Sequence, residues 1–126
     1  MLQKAPKEEK KSEADAGTDD ALYCAKCGHL LTRMRWAVDI GGHERVFINP
    51  AGRVFRVACF KEAPGAEDVG EPTDEHTWFP GYEWNFALCR GCGGHLGWRF
   101  AGNTQPAVFF GLIKTALTQS PPGGEA

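Results

Sequence analysis

No apolar run among the 126 residues comes near the roughly 18 that a membrane helix requires, so a transmembrane reading is excluded. The first residues also lack the apolar stretch of a secretory leader, and the expected compartment is therefore the cytoplasm. Positive charge is in no surplus either, since the formal net charge is −2. The imbalance sits in residues 1–20, with four lysines and six acids; from Ala21 onward ten basic residues balance ten acidic ones. Nucleic-acid binders usually carry a basic excess, because phosphate contacts dominate their affinity. Neither nucleic acid nor membrane is an expected partner, and a monomer is expected. Residues 1–20 also lack aromatic side chains and hold almost nothing apolar, so they are expected to form a disordered charged segment. The ordered domain is expected over 21–118, with a flexible Pro/Gly tail at 119–126.

An even cysteine count is missing as well. Five cysteines, at 24, 27, 59, 89 and 92, in a chain without a leader argue against a disulfide framework. What is present is a repeated unit: Cys24-Ala-Lys-Cys27-Gly28 and Cys89-Arg-Gly-Cys92-Gly93. Two residues between thiolates let a tight turn aim both sulfurs at one tetrahedral ion, and the following glycine relaxes that turn. Two such turns give Cys24, Cys27, Cys89 and Cys92 as a closed shell for one structural Zn²⁺. The 61 residues between Cys27 and Cys89 mean that the ion would pin together distant parts of one domain. Lys26 and Arg90 stand within the turns, where they could soften the cluster's charge.

Helices of convincing length are also absent, and the pattern between the zinc turns is β. Arg45–Asn49 and Arg53–Phe60 read as strands joined by a turn at Pro50–Gly52, with Phe55, Val57 and Cys59 on one face. Glu62–Glu75, rich in Gly, Pro and acids, reads as a surface loop. Pro80-Gly81 marks a type II turn. Glu83–Cys89 and His95–Phe100 read as strands flanking the second zinc turn, Phe109–Leu112 as a last strand, and Leu112–Leu117 as a single helical turn.

Nine of the fourteen aromatic residues fall between 78 and 110. Strand alternation puts Trp84, Phe86 and Leu88 on one face, and Trp98 with Phe100 on one face. The Pro80-Gly81 turn folds Trp78 back toward Trp84. Three indoles from neighbouring segments can thus wall a small space, although tryptophans are commonly core residues. A small zinc domain rarely needs three indoles in its core, since each buried N–H wants a polar partner.

Three segments carry a resemblance: His76-Thr-Trp-Phe-Pro-Gly-Tyr-Glu-Trp84, then Cys89-Arg-Gly-Cys-Gly-Gly-His-Leu-Gly-Trp98-Arg-Phe100, then Phe109-Phe-Gly-Leu-Ile113. Together they resemble the CULT domain, the thalidomide-binding domain of cereblon, and most of all its bacterial single-domain homologues. The resemblance covers about Ala21 to Leu117. It implies a mostly β, β-tent fold of two antiparallel sheets meeting at a steep angle and pinned by a four-cysteine zinc. It also implies a cage of Trp78, Trp84 and Trp98 with Phe100 as its floor. The ligand implied is a cyclic imide: a glutarimide or dihydrouracil drug of the thalidomide type, uridine, or a peptide ending in a cyclised imide. His76, Thr77 and Trp78 would supply polar partners, and Asn49 would touch the ligand's outer part. Ala51 and Phe55 depart from the vertebrate pattern, which has histidines at those rim positions. Nothing in the chain matches the Lon-like or ligase-adaptor regions of full-length cereblon, so a ligase receptor by itself is not expected.

Two other readings compete. An aromatic cage can hold a methylammonium cation, with Glu75 or Glu83 as its acid. A methionine sulfoxide reductase of the B type would share fold and zinc, but it needs a reactive cysteine, and Cys59 is the sole candidate outside the metal set. Its apolar strand face points to an inert thiol. No catalytic residue is therefore assigned.

Overall fold

Turn chemistry sets where this chain reverses. Asn49 closes the first long hairpin: its N–H donates to the Arg53 carbonyl at 2.9 Å, and its Oδ1 accepts the Arg53 N–H at 2.8 Å. At Pro80-Gly81 the Tyr82 N–H donates to the Phe79 carbonyl at 3.0 Å with Gly81 at φ 91°, the type II geometry expected there.

The computed structural model describes residues 20–120, and the expectations for residues 1–19 and 121–126 lie outside them. Within the described span the strands are β1 (Ala21–Cys24), β2 (Leu30–Arg33), β3 (Glu44–Ile48), β4 (Val54–Phe60), β5 (Ala66–Thr73), β6 (Tyr82–Cys89), β7 (His95–Gly102), β8 (Val108–Ile113) and β9 (Leu117–Thr118). Short 3₁₀ turns occupy Met34–Trp36 and Lys114–Ala116, the second answering the single helical turn expected there. All pairing is antiparallel, in a three-stranded sheet ordered β2-β1-β9 and a six-stranded sheet ordered β3-β4-β8-β7-β6-β5. This is the mostly β, two-sheet architecture expected of a β-tent. No helix among the described residues is long and apolar enough to cross a membrane.

One expectation is corrected. Most of Glu62–Glu75 is not a loop: Ala66–Thr73 is an edge strand paired with β6. Six of its eight residues are exposed, so no apolar alternation betrays it. Backbone pairing holds it, with the buried Asn85 amide donating to Asp68 Oδ2 at 3.1 Å and to the Gly70 carbonyl at 3.2 Å. Pro72 falls where the β5–β6 register shifts, which suits a residue that cannot donate to a ladder. The small sheet, β1-β2-β9, is a further departure, since no strand was expected in those segments.

The large sheet buries both faces. Ala58 and Phe60 of β4, Leu112 of β8 and Ala87 of β6 join Leu22 and Leu31 of the small sheet in one cluster. Val57 and Cys59 of β4 and Phe109 of β8 turn the other way, to Phe79, Tyr82, Trp98 and Phe100. On β7, Leu96 belongs to the first cluster and Trp98 to the second, although two residues in plain alternation would share a face. A bulge resolves this: Ala87 pairs with Gly97 and Leu88 with His95, leaving Leu96 as the extra residue. Glycine is needed at the bulge, because a Cβ on Gly97 would lie 2.1 Å from the Gly111 carbonyl oxygen.

Candidate functional site

The four cysteines of the paired turns converge from both sheets, Cys24 at the end of β1 and Cys89 at the end of β6. Their turns repeat bond for bond. The Cys24 N–H donates to the His29 carbonyl and the Gly28 N–H to the Cys24 carbonyl; likewise the Cys89 N–H donates to Gly94 and the Gly93 N–H to Cys89. Gly28 and Gly93 both take positive φ, 83° and 77°, which the glycine of each turn permits. All four Sγ atoms lie within 4.8 Å of one another, with Cys24–Cys92 at 3.8 Å and Cys27–Cys89 at 3.6 Å. A tetrahedral site with metal–sulfur bonds of about 2.3 Å has edges of about 3.8 Å, so the cluster has the size of an M(S-Cys)₄ shell.

Charge inside that shell is unevenly borne. Burial pushes the Cys24 thiol up, but N–H donors at Cys27 and Lys26 and the neighbouring thiols outweigh it, bringing it down to about 7. At Cys27 the His29 N–H pulls down, while desolvation and the three facing sulfurs push up, to about 12. Four thiolates at this spacing need a cation among them. Arg90, within the second turn, is turned away, its Nε donating to the Pro64 carbonyl at 3.0 Å.

A cavity of about 330 Å³ opens on the opposite face of the large sheet. Trp84 of β6, Trp98 and Phe100 of β7, and Trp78 from the loop before β6 supply its aromatic walls. Trp78 and Trp98 stand as adjoining walls, ring centroids 4.7 Å apart and planes at 74°. Behind Trp78, Phe47 stacks at 4.7 Å and 3°, which fixes the plane of that wall. The Trp84 indole N–H donates to the Glu75 carbonyl at 2.7 Å, tying this wall to the loop that carries His76 and Trp78. In that loop His76 holds φ 58°, a conformation uncommon outside glycine. Among the described residues, neither the His76 carbonyl nor the Trp78 N–H is used in a hydrogen bond.

Six of the residues named from the sequence line this space: Asn49, His76, Trp78, Trp84, Trp98 and Phe100. Thr77 does not; its hydroxyl donates to the Phe79 carbonyl at 3.3 Å and accepts the Phe79 N–H at 3.4 Å. Four lining residues were not assigned to the site: Pro50, Phe55, Phe86 and His95. Phe86 was foreshadowed by alternation with Trp84. Phe55 closes on Trp98 at 5.2 Å and Trp78 at 5.9 Å, so this rim residue is also a wall. His95 had no local signal, since the bulge decides where it points. It lies 5.0 Å from the Trp98 ring and 5.7 Å from Phe86. Desolvation lowers its pKa, with the Gly97 carbonyl opposing and the Arg53 charge assisting. Neither Glu75 nor Glu83 lines the cavity, and no carboxylate among the described residues does. The remaining cysteine, Cys59, is fully buried on β4, and burial pushes its thiol up to about 11.

No family model matches the chain. Curated relatives do. The protein named cereblon from Danio rerio is 34% identical over 111 residues, which is 83% of this chain and 26% of that protein. Cereblon of Gallus gallus is 34% identical over 111 residues, 83% of this chain and 25% of its own length. Cereblon of Drosophila erecta is 36% identical over 112 residues, 79% of this chain and 18% of its own length. The chain thus spans about a quarter or less of the cereblons it matches.

Proposed function

The chain carries a CULT domain, the kind of module its likeness to the cereblons and its two-sheet, four-cysteine fold define, and from that premise we propose that it is a non-catalytic module binding an uncharged cyclic imide in the aromatic cavity. The observation that carries this reading is the cavity's chemistry: three indoles and Phe100 around a space that no carboxylate among the described residues lines. A cation in such a cage would lack the acid that commonly accompanies it, whereas a neutral ring loses little on leaving water. An imide edge needs one acceptor for its N–H and donors for its carbonyls. His76 and Trp78 line the cavity, and the unused His76 carbonyl and Trp78 N–H, with the His76 side chain, would meet those needs.

The metal is Zn²⁺ in this reading. Four thiolates at tetrahedral spacing leave no open position, so Cys24, Cys27, Cys89 and Cys92 would hold it as a structural ion, joining the two sheets. The domain itself is proposed to span 21–118. The buried, high-pKa Cys59 supports the absence of catalysis, because a nucleophilic sulfur must be a reachable thiolate.

The test is a tryptophan-fluorescence titration of the zinc-loaded chain with thalidomide, its N-methylated imide and trimethyl-lysine. Thalidomide should bind and the N-methylated compound should bind poorly, since methylation removes the ring's only donor. Equal binding of both, or tighter binding of trimethyl-lysine, would overturn the reading. Turnover of methionine sulfoxide abolished by Cys59→Ser would replace it with the reductase.

A further inference from the structure

Beside the cage runs a second concavity of about 590 Å³, and the two share Phe55 and His95. Its lining combines exposed apolar side chains of the β3–β4 hairpin, Val46 and Val54, with three cations, Lys26, Arg53 and Arg56. No acid lines it. Among the described residues none of the three cations has an ion-pair partner within 4 Å. Glu44, whose carboxylate feels the Arg56 charge, is already held by Lys114 Nζ at 2.6 Å. Arg53, which lines this second concavity, lies at 5.4 Å over the ring of Phe55, which lines both. Gathering in one groove three cations that have no ion-pair partner among the described residues raises the local potential and draws in an anionic partner.

Resting on the cage reading above, we infer that this groove receives the acidic side chains of a peptide whose C-terminal cyclic imide sits in the cage. Phe55 and His95 line both spaces, so a chain leaving the cage past these two residues has this groove as its neighbour. The apolar floor suits the peptide's own aliphatic stems, and the cations suit Asp or Glu within the residues just before the imide. The groove therefore adds a sequence preference to a pocket that reads only the terminal ring.

The experiment compares three synthetic peptides ending in the same glutarimide, preceded by glutamates, by glutamines or by lysines. Each is titrated calorimetrically into the zinc-loaded full chain and into its Lys26→Gln/Arg56→Gln variant. The glutamate peptide should bind the wild type about five- to tenfold more tightly than the glutamine peptide at low salt, and the lysine peptide more weakly than either. That advantage should fade by about 0.5 M salt and vanish in the double variant, while affinity for the glutamine peptide stays unchanged. Equal affinities for the glutamate and glutamine peptides overturn the groove but leave the cage standing. A glutamate advantage that survives in the double variant also overturns it. Failure of the glutamine peptide to bind overturns the cage itself, and the groove with it.

Discussion

The sulfur cluster, drawn from both sheets, and the aromatic cavity, on the six-stranded sheet, are built by opposite means. Each half of the cluster is a short local unit, 24–29 or 89–94, closed by hydrogen bonds between its own residues. Tertiary structure has only to bring the halves together. The cavity has no such unit. Its walls come from β4, β6, β7 and the 76–78 loop, and each plane depends on a neighbour: Phe47 for Trp78, the Glu75 carbonyl for Trp84, the Gly97 bulge for Trp98. A site assembled from local units fails as a whole, whereas a site assembled from packed walls loses one wall at a time.

The largest expected effect lies at the sulfur end. Removal of the metal by a strong chelator, or the Cys89→Ser substitution, should unfold the domain. Structural zinc contributes about 10–16 kcal/mol, comparable to a whole domain's stability. Circular dichroism and elemental analysis would check this, and Cys59→Ser should retain the metal. A chelated protein that still melts cooperatively would break the contrast.

Next comes the bulge that divides the two faces of β7. Gly97→Ala should destabilise by about 2–4 kcal/mol in denaturant unfolding, because its Cβ would meet the Gly111 carbonyl oxygen at 2.1 Å. Zinc content should persist in the folded fraction while cage affinity falls, since Trp98 is the side chain the bulge aims.

At the cavity the loss should be confined to binding. Trp84→Ala removes one partly buried wall, worth roughly 1–3 kcal/mol, so imide affinity should drop about ten- to a hundredfold in a fluorescence titration. Trp36→Ala, in the 3₁₀ turn away from the cavity, should leave that affinity alone. Equal losses from both substitutions would erase the distinction between wall and scaffold.

The smallest effect belongs to the edge of the small sheet. Asp20 accepts from Arg35 Nε at 2.8 Å and lies 3.5 Å from Arg33. The Arg35 hydrogen bond outweighs desolvation and lowers its pKa from 3.8. A carboxylate with a depressed folded pKa contributes above its unfolded pKa and loses that contribution as pH falls through the folded value. Solvent screens this exposed pair, so Asp20→Asn should cost less than about 1 kcal/mol near neutrality, and nothing once pH is well below the folded value. Thermal melts at the two pH values would check both statements.

Residues close in sequence determined much of this protein by themselves. The repeated CxxCG turns announced the sulfur cluster because two intervening residues and a glycine shape such a turn without outside help. Period-two alternation put Trp84 beside Phe86 and Trp98 beside Phe100 because side-chain direction along a regular strand is a local property. Tertiary structure decided the rest. Ala66–Thr73 is a strand only because β6 offers it a ladder, and its exposed, acidic residues carry no apolar mark of that pairing. The β2-β1-β9 sheet joins residues from opposite ends of the described span, with strands too short for any pattern to declare. Leu96 and Trp98 part to opposite faces through a bulge at which Gly111 approaches too closely for a side chain on residue 97. Phe55 and His95 reach the cavity because β4 and β7 flank β8, an order no local window contains. Short-range sterics write turns and alternation into the chain, while strand partners follow from which apolar faces can be buried together.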